Sequence, residues 1–72
     1  MIFLKNEIIF LIEESIDGGY EAKALGESIY TQAETYEQIK ENIKEAVLCH
    51  FDDEEKPLFI RYHFVKDEVT AV

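Results

Sequence analysis

The stretch from Thr35 to Phe51 reads Thr-Tyr-Glu-Gln-Ile-Lys-Glu-Asn-Ile-Lys-Glu-Ala-Val-Leu-Cys-His-Phe, and it carries the clearest helix signal in the chain. Thr35 and Gln38 have the spacing of a capping box, in which both side chains bind free N–H groups at the first turn. At 100° per residue, a set of mostly apolar side chains falls within about a third of the helix circumference. This set is Tyr36, Ile39, Ile43, Ala46, Val47 and His50. The sequence therefore predicts a helix from about Tyr36 to about Phe51 with one face against a core.

Three strand patterns precede this helix. Residues 7–13 consist of isoleucine, phenylalanine and leucine between two glutamates, so that odd- and even-numbered positions both carry apolar side chains. This pattern is typical of a strand that is buried on both faces or covered by a partner. Residues 20–24 and 28–33 alternate between apolar and polar side chains, and the glycines at 18–19 and 26 supply turns. The three segments predict an antiparallel meander joined by tight turns.

One strand pattern follows the helix. Pro57 ends the helical stretch, and residues 58–66 form the last predicted strand. Its two faces carry Leu58, Ile60, Tyr62 and Phe64 on one side and Phe59, Arg61, His63 and Val65 on the other. The predicted fold class is α+β with the order β-β-β-α-β, an antiparallel sheet with one helix packed on one face. Because chains this short make one domain, we expect residues 1–72 to form a single domain.

The composition limits the classes of function. The 72 residues include 16 acidic and 7 basic side chains, giving a net charge of −9. This excess repels phosphate backbones, so we expect no direct nucleic-acid binding, and it favours basic protein partners. The longest apolar run, Ile8 to Ile12, is far shorter than the roughly 20 residues of a membrane span. A single cysteine cannot form an internal disulfide. We expect a compact cytoplasmic protein that does not associate with membranes.

Residues able to carry catalysis or bind a metal are few. Cys49 and His50 are adjacent on the helix, so their side chains diverge by about 100° and cannot form a nucleophile–base pair. We expect a buried, inert Cys49, a packed or hydrogen-bonded His50, and a partly exposed His63. Paired zinc ligands are absent from the sequence, and the acidic run at 52–55 lacks the alternation and glycine of a calcium loop. The prediction is a protein without enzymatic activity, cofactor or metal; the alternative is a weak hydrolase or nuclease relic that uses His50, His63 or the acidic run.

The outward side of the helix carries an acidic ridge, formed by Glu37, Glu41 and Glu45 at four-residue spacing. Leu48 points nearly opposite Ile39 and so emerges within this ridge. One interpretation is an ordinary solvated helix surface with a single exposed leucine. The other is a docking site for a basic protein, with Leu48 as an apolar anchor. The residues alone leave both interpretations open.

The first strand also predicts self-association. Ile9 and Leu11 alternate with Ile8, Phe10 and Ile12, so both faces of the strand are apolar. One helix cannot cover both sides of a sheet. We therefore expect a homo-oligomer, a dimer or higher, with Ile9 and Leu11 in the contact.

The order of these motifs resembles the HicB-like antitoxin family. Gly19-Tyr20-Glu-Ala22 matches a strand of the form G-Y-x-A, and residues 28–35 are similar to the short strand and turn that follow it. Residues 37–47 match the helix signature, with Asn42 placed before Glu45-Ala46, and residues 60–69 are similar to the last strand of short, stand-alone members. The similarity covers nearly the whole chain.

The resemblance implies a partial ribonuclease-H-like domain that lacks nuclease activity. Such proteins act as antitoxins, which bind a HicA-type toxin, a small basic mRNA interferase, and mask its RNA surface or its catalytic histidine. Many members add a C-terminal DNA-binding domain. Since this chain ends at Val72, shortly after the last predicted strand, we expect no such domain. A regulator without a toxin partner is the other function that the resemblance allows.

Overall fold

The computed structural model describes residues 6–72 and places four strands and one helix along the chain. These are β1 (Glu7–Glu14), β2 (Tyr20–Ala24), β3 (Tyr30–Ala33), α1 (Tyr36–His50) and β4 (Phe59–Val65). The predicted α+β class and the order β-β-β-α-β are confirmed. Residues 1–5, which the predicted domain includes, lie outside the described residues.

The first three strands form the predicted antiparallel meander. β1 pairs with β2, where Ile12 stands opposite Ala22, and β2 pairs with β3. The turn between β1 and β2 closes through hydrogen bonds between Ser15 and the two glycines that follow Asp17. Gly18 and Gly19 both have positive φ, at 95° and 80°, which glycine adopts without steric cost.

The fourth strand corrects the prediction of an antiparallel sheet. β4 lies beside β1 and runs parallel to it, so the sheet is mixed, with the strand order β3-β2-β1-β4. The direction follows from the connections: a three-strand meander leaves β3 running the same way as β1, and α1 carries the chain back to the start of the sheet. A strand that begins at the same end of the sheet as β1 must run parallel to β1. A helical crossover is the usual link for a parallel pair.

The core lies between α1 and one face of the sheet. β1 contributes Phe10 and Ile12, which are fully buried, and α1 contributes Ile39 and Ile43. The remaining buried side chains are Ile8, Ala22, Ala24, Ile29 and Val47. The odd-numbered residues of β1 point to the opposite side, which α1 does not cover, as the two-residue period of a strand requires. We call this second side the open face.

The ends of α1 follow the predicted signals in part. Thr35 is the N-cap, and its hydroxyl accepts a hydrogen bond from the backbone N–H of Gln38 at 3.1 Å. The Gln38 side chain does not complete a capping box. Instead it donates to the Asn42 side chain at 2.9 Å. The helix begins at Tyr36 as predicted and ends at His50, one residue before the predicted end.

Candidate protein-binding site

The acidic ridge is exposed on the structure. Glu37, Glu41, Glu45 and Leu48 all lie on the solvent side of α1, and Leu48 exposes 53% of its surface. The buried stripe on the other side of the helix consists of Ile39, Ile43 and Val47. The structure therefore brings the four predicted partner-binding residues onto one accessible surface. Whether a partner docks there stays a prediction.

A groove runs along one flank of this ridge, between α1 and β4. Its volume is about 460 Å³. The helix supplies Lys44, Val47 and Leu48, and the chain around the start of β4 supplies Lys56, Pro57, Leu58, Phe59, Ile60 and Tyr62. Leu58 and Phe59 are 71% and 66% exposed, although both are large and apolar. Leu48 thus belongs to two features, the acidic ridge and an apolar groove bordered by lysines.

Lys40 and Glu41 meet β4 at the far end of the groove. The Lys40 ammonium lies 5.2 Å from the ring centroid of Tyr36 and 5.8 Å from that of Tyr62, which is cation–π range. Partial burial of the Tyr62 hydroxyl raises its pKa above the ordinary value of 10.0, and the nearby Glu41 carboxylate raises this pKa further. Glu41 therefore acts electrostatically on a β4 side chain, which places one end of the ridge close to the sheet.

The open face carries the predicted self-association residues. Ile9 and Leu11 are half-buried there, with Arg61 and His63 of β4 opposite them. Arg61 binds the Glu7 carboxylate through Nε and Nη2, at 3.1 Å each. The face is apolar at its centre, with a charged pair at one end. Its part in self-association remains a prediction.

The residues considered for catalysis do not converge. His50 is exposed and its Nε2 lies 3.4 Å from a Glu27 carboxylate oxygen, while its ring packs edge-on against Phe51. His63 is exposed on the open face. The acidic run at 52–55 is also exposed, in the segment between α1 and β4. Within residues 6–72, no group of three or more histidine, cysteine, aspartate or glutamate side chains is close enough to hold a metal ion. The same part of the chain has no helix long and apolar enough to cross a membrane.

The prediction of a buried Cys49 is wrong, because its thiol is exposed. The cause is its position on the helix. At 100° per residue, Cys49 lies about 200° around the axis from Val47, the last residue of the buried stripe. Its side chain therefore points away from the core.

Two proteins with the same family name are similar to this chain over most of its length. A UPF0150 protein of Thermotoga maritima is 48% identical over 68 residues, which are 94% of this chain and 96% of that protein. The chain belongs to the UPF0150 family. A UPF0150 protein of Archaeoglobus fulgidus is 56% identical over 50 residues, 69% of this chain and 74% of that protein. No family model matches the chain, and no solved structure matches it.

Sequence reasoning missed one surface of this UPF0150 protein, the groove between α1 and β4. The signal was present in residues 58–66, where large apolar side chains stand at both odd- and even-numbered positions. The prediction placed Leu58, Tyr62 and Phe64 together on one face of the last strand, without saying whether the helix covers them. They do lie on the helix side of the sheet, but α1 packs over β2 and β3 and leaves them 71%, 36% and 41% exposed.

Proposed function

We propose that this UPF0150 protein is a cytoplasmic, non-catalytic binding protein of the HicB-like antitoxin type, which sequesters a basic mRNA interferase of the HicA type. The observation that carries the proposal is the exposed acidic ridge of Glu37, Glu41 and Glu45 with Leu48 in its midst. The order of strand and helix motifs that resembles HicB-like antitoxins supports it from the sequence.

The charges of the ridge suit an RNA-binding partner. A ribonuclease that binds RNA presents basic side chains to phosphates, and three carboxylates at one-turn spacing offer it a row of negative charge. Such complementarity accelerates encounter and selects the partner, while an apolar anchor slows dissociation. Leu48 is an exposed leucine beside these carboxylates, and the groove behind it is lined by further apolar side chains.

The arrangement of carboxylates favours binding over catalysis. A metal-dependent nuclease needs several carboxylates around the same metal ion. Here the segment from Ile8 to Ile12 has none, and the nearest glutamates, Glu7 and Glu13, lie at the ends of β1. The Glu7 carboxylate is bound by Arg61.

A second candidate function is a self-associating regulatory or structural module without a toxin partner. The observation that favours it is the open face, where Ile9 and Leu11 form an apolar centre that α1 does not cover. In this alternative the partner of the protein is a further copy of itself. The two functions are compatible, because the acidic ridge and the open face are on opposite sides of the sheet.

The experiment that tests the proposal is co-expression with the product of the adjacent gene, followed by size-exclusion chromatography. We expect a complex with a small basic protein, whose ribonuclease activity falls when the two are mixed. Absence of a complex with the wild-type protein would refute the proposal for that partner. Metal-dependent RNA cleavage by the purified UPF0150 protein, abolished by His50→Ala or His63→Ala, would favour the hydrolase alternative.

A further inference from the structure

The last strand leaves an unprotected sheet edge. β4 ends the sheet, and within residues 6–72 no strand lies beyond it. Its seven residues contain no proline or lysine, the residues with which proteins commonly block an edge, and Phe59, Tyr62 and Phe64 remain exposed. The opposite edge differs. β3 has only four residues, and the Asn42 side chain donates to its Gln32 carbonyl at 3.2 Å.

The backbone groups that β4 presents at this edge can be assigned. The N–H of Phe59 donates to the Asn6 carbonyl, so the backbone groups of Phe59 point inward to β1. In a parallel ladder, alternate residues of a strand face opposite neighbours. The N–H and C=O groups of Ile60, Tyr62 and Phe64 therefore point outward, where another strand could bind them.

We propose that a second copy of this chain pairs its β4 with this edge in antiparallel orientation, with Tyr62 at the two-fold axis. The product is a dimer with one eight-stranded sheet. Because the axis is perpendicular to the sheet, residues that stand opposite each other share a face, and both helices lie on the same side. The proposal does not depend on toxin binding, since it uses neither the acidic ridge nor Leu48.

The side chains decide where the axis falls. Centring the pair on Arg61 would place two guanidinium groups opposite each other. Centring it on His63 would place Ile60 opposite Lys66, the charged residue that follows the strand. Like charges or an apolar–charged mismatch at directly opposed positions are unfavourable. A centre nearer either end of β4 would leave part of the strand unpaired.

Centring the pair on Tyr62 places apolar side chains opposite other apolar side chains. The two Tyr62 side chains meet at the axis, Ile60 stands opposite Phe64, and Phe59 stands opposite Val65. On the open face, the same register places Arg61 of one copy opposite His63 of the other. The pair therefore brings apolar and aromatic side chains together on the helix side of β4, as a self-complementary two-fold contact requires.

The first test compares the same substitution at the two edges of the sheet. Tyr62→Lys would place two ammonium groups together at the axis, so we expect the dissociation constant of the dimer to rise about tenfold or more. Tyr30→Lys is the matched control, because Tyr30 is an exposed tyrosine on the other edge strand, and it should leave the dimer unchanged. Sedimentation equilibrium over a range of concentrations gives both values, and circular dichroism checks the fold.

A second test determines the register of the two β4 strands by disulfide crosslinking. It does not depend on how well Tyr62→Lys folds. In a Cys49→Ser background, Tyr62→Cys should form a disulfide-linked dimer on mild oxidation, since opposed residues of paired strands bring their Cα atoms within disulfide range. Arg61→Cys and His63→Cys should crosslink much more slowly, because each is offset from its copy.

Three results would overturn the proposal. One is a single 8.4 kDa species at every concentration reached. Another is faster crosslinking at position 61 or 63 than at 62. The third is a dimer that Leu11→Lys dissociates while Tyr62→Lys does not, which would assign the contact to the open face.

Discussion

Arg61 of β4 donates two parallel hydrogen bonds to the Glu7 carboxylate at the start of β1. Nε donates to Oε2 and Nη2 to Oε1, both at 3.1 Å. The hydrogen bond to Glu7, and then the charge of that carboxylate, raise the pKa of Arg61. The pair joins the first and last strands of the chain across 54 residues of sequence. It lies on the open face, where the Arg61 side chain is 60% exposed.

Replacing this arginine should weaken the attachment of β4 only slightly. We expect Arg61→Ala to lower the urea midpoint of unfolding by a small amount, because solvent and salt reach the pair from the side of the exposed arginine and screen it. Arg61→Lys should recover only part of the loss, since an ammonium cannot make the two-pronged contact. Lys66→Ala is the control, as another exposed basic residue beside β4. A loss that is unchanged at high salt would show that packing of the arginine, not its charge, supports β4.

Neighbouring residues of β1 should respond very differently to truncation. Phe10 is fully buried against α1, whereas Leu11 is half-buried on the open face. Phe10→Ala should lower the free energy of unfolding by about 3–5 kcal/mol, since it leaves a cavity in the core. Leu11→Ala should cost clearly less. Urea unfolding of the two variants measures the difference, and equal losses would contradict the assignment of the two faces.

Local sequence patterns of this kind explain why much of the fold could be predicted from the sequence. The stripe through Ile39, Ile43 and Val47 and the cap at Thr35 are local signals, and α1 begins at the predicted residue. The strands also follow from local patterns. Local patterns do not show in which direction a strand runs relative to its neighbour. β4 runs parallel to β1 because α1 returns the chain to the end of the sheet where β1 begins.

The surfaces were harder to predict, for a related reason. Helix periodicity places Glu41 and Leu48 outside the core, and the structure agrees. Periodicity cannot reveal which strands the helix covers. α1 packs toward β3, so Tyr62 and Phe64 remain exposed on the helix side of the sheet. This outcome depends on the relative position of the packed elements and not on any single stretch of sequence.

Two adjacent glycines should differ in their tolerance of alanine. A Cβ added to Gly19 would lie 2.6 Å from the backbone carbonyl oxygen of Ala33, whereas one added to Gly18 would meet open space. Both positions have positive φ, so both substitutions are strained. Gly19→Ala should therefore lower the thermal unfolding midpoint more than Gly18→Ala does. Equal midpoints would mean that the β1–β2 turn moves away from β3 at little cost.

The raised pKa of Tyr62 predicts a loss of stability in alkali. The folded protein holds the hydroxyl proton more tightly than the unfolded chain, chiefly because the site is partly desolvated. This stabilisation is fully present below the ordinary pKa of 10.0 and is lost as the pH rises through the raised value.

Tyr62→Phe should accordingly flatten the decline in the free energy of unfolding above pH 10, measured on monomer at low concentration. Tyr30→Phe, which alters an exposed tyrosine on the opposite edge strand, should keep the decline. Identical alkaline profiles for the wild-type protein and Tyr62→Phe would contradict the assigned desolvation.

The acidic ridge and its leucine should affect different rate constants for binding to a basic ribonuclease. Glu41→Lys combined with Glu45→Lys should slow association, and the effect should shrink as salt rises, because steering by charge is screened. Leu48→Ala should instead raise the dissociation rate, by a factor that corresponds to about 1–2 kcal/mol if its side chain is buried in the contact. The measurement is binding kinetics at low and high salt.

Matched controls separate the ridge from net charge and from general apolarity. Glu54→Lys with Glu55→Lys makes the same change in charge on the exposed acidic run beyond the helix, and it should slow association less. Leu25→Ala removes a leucine that is 52% exposed, against 53% for Leu48, and should leave dissociation unchanged. If the ridge and control variants behave alike while the fold is intact, the helix surface is not the docking site. Antitoxin-like binding would then have to use the strands, and the groove beside β4 would be the next surface to mutate.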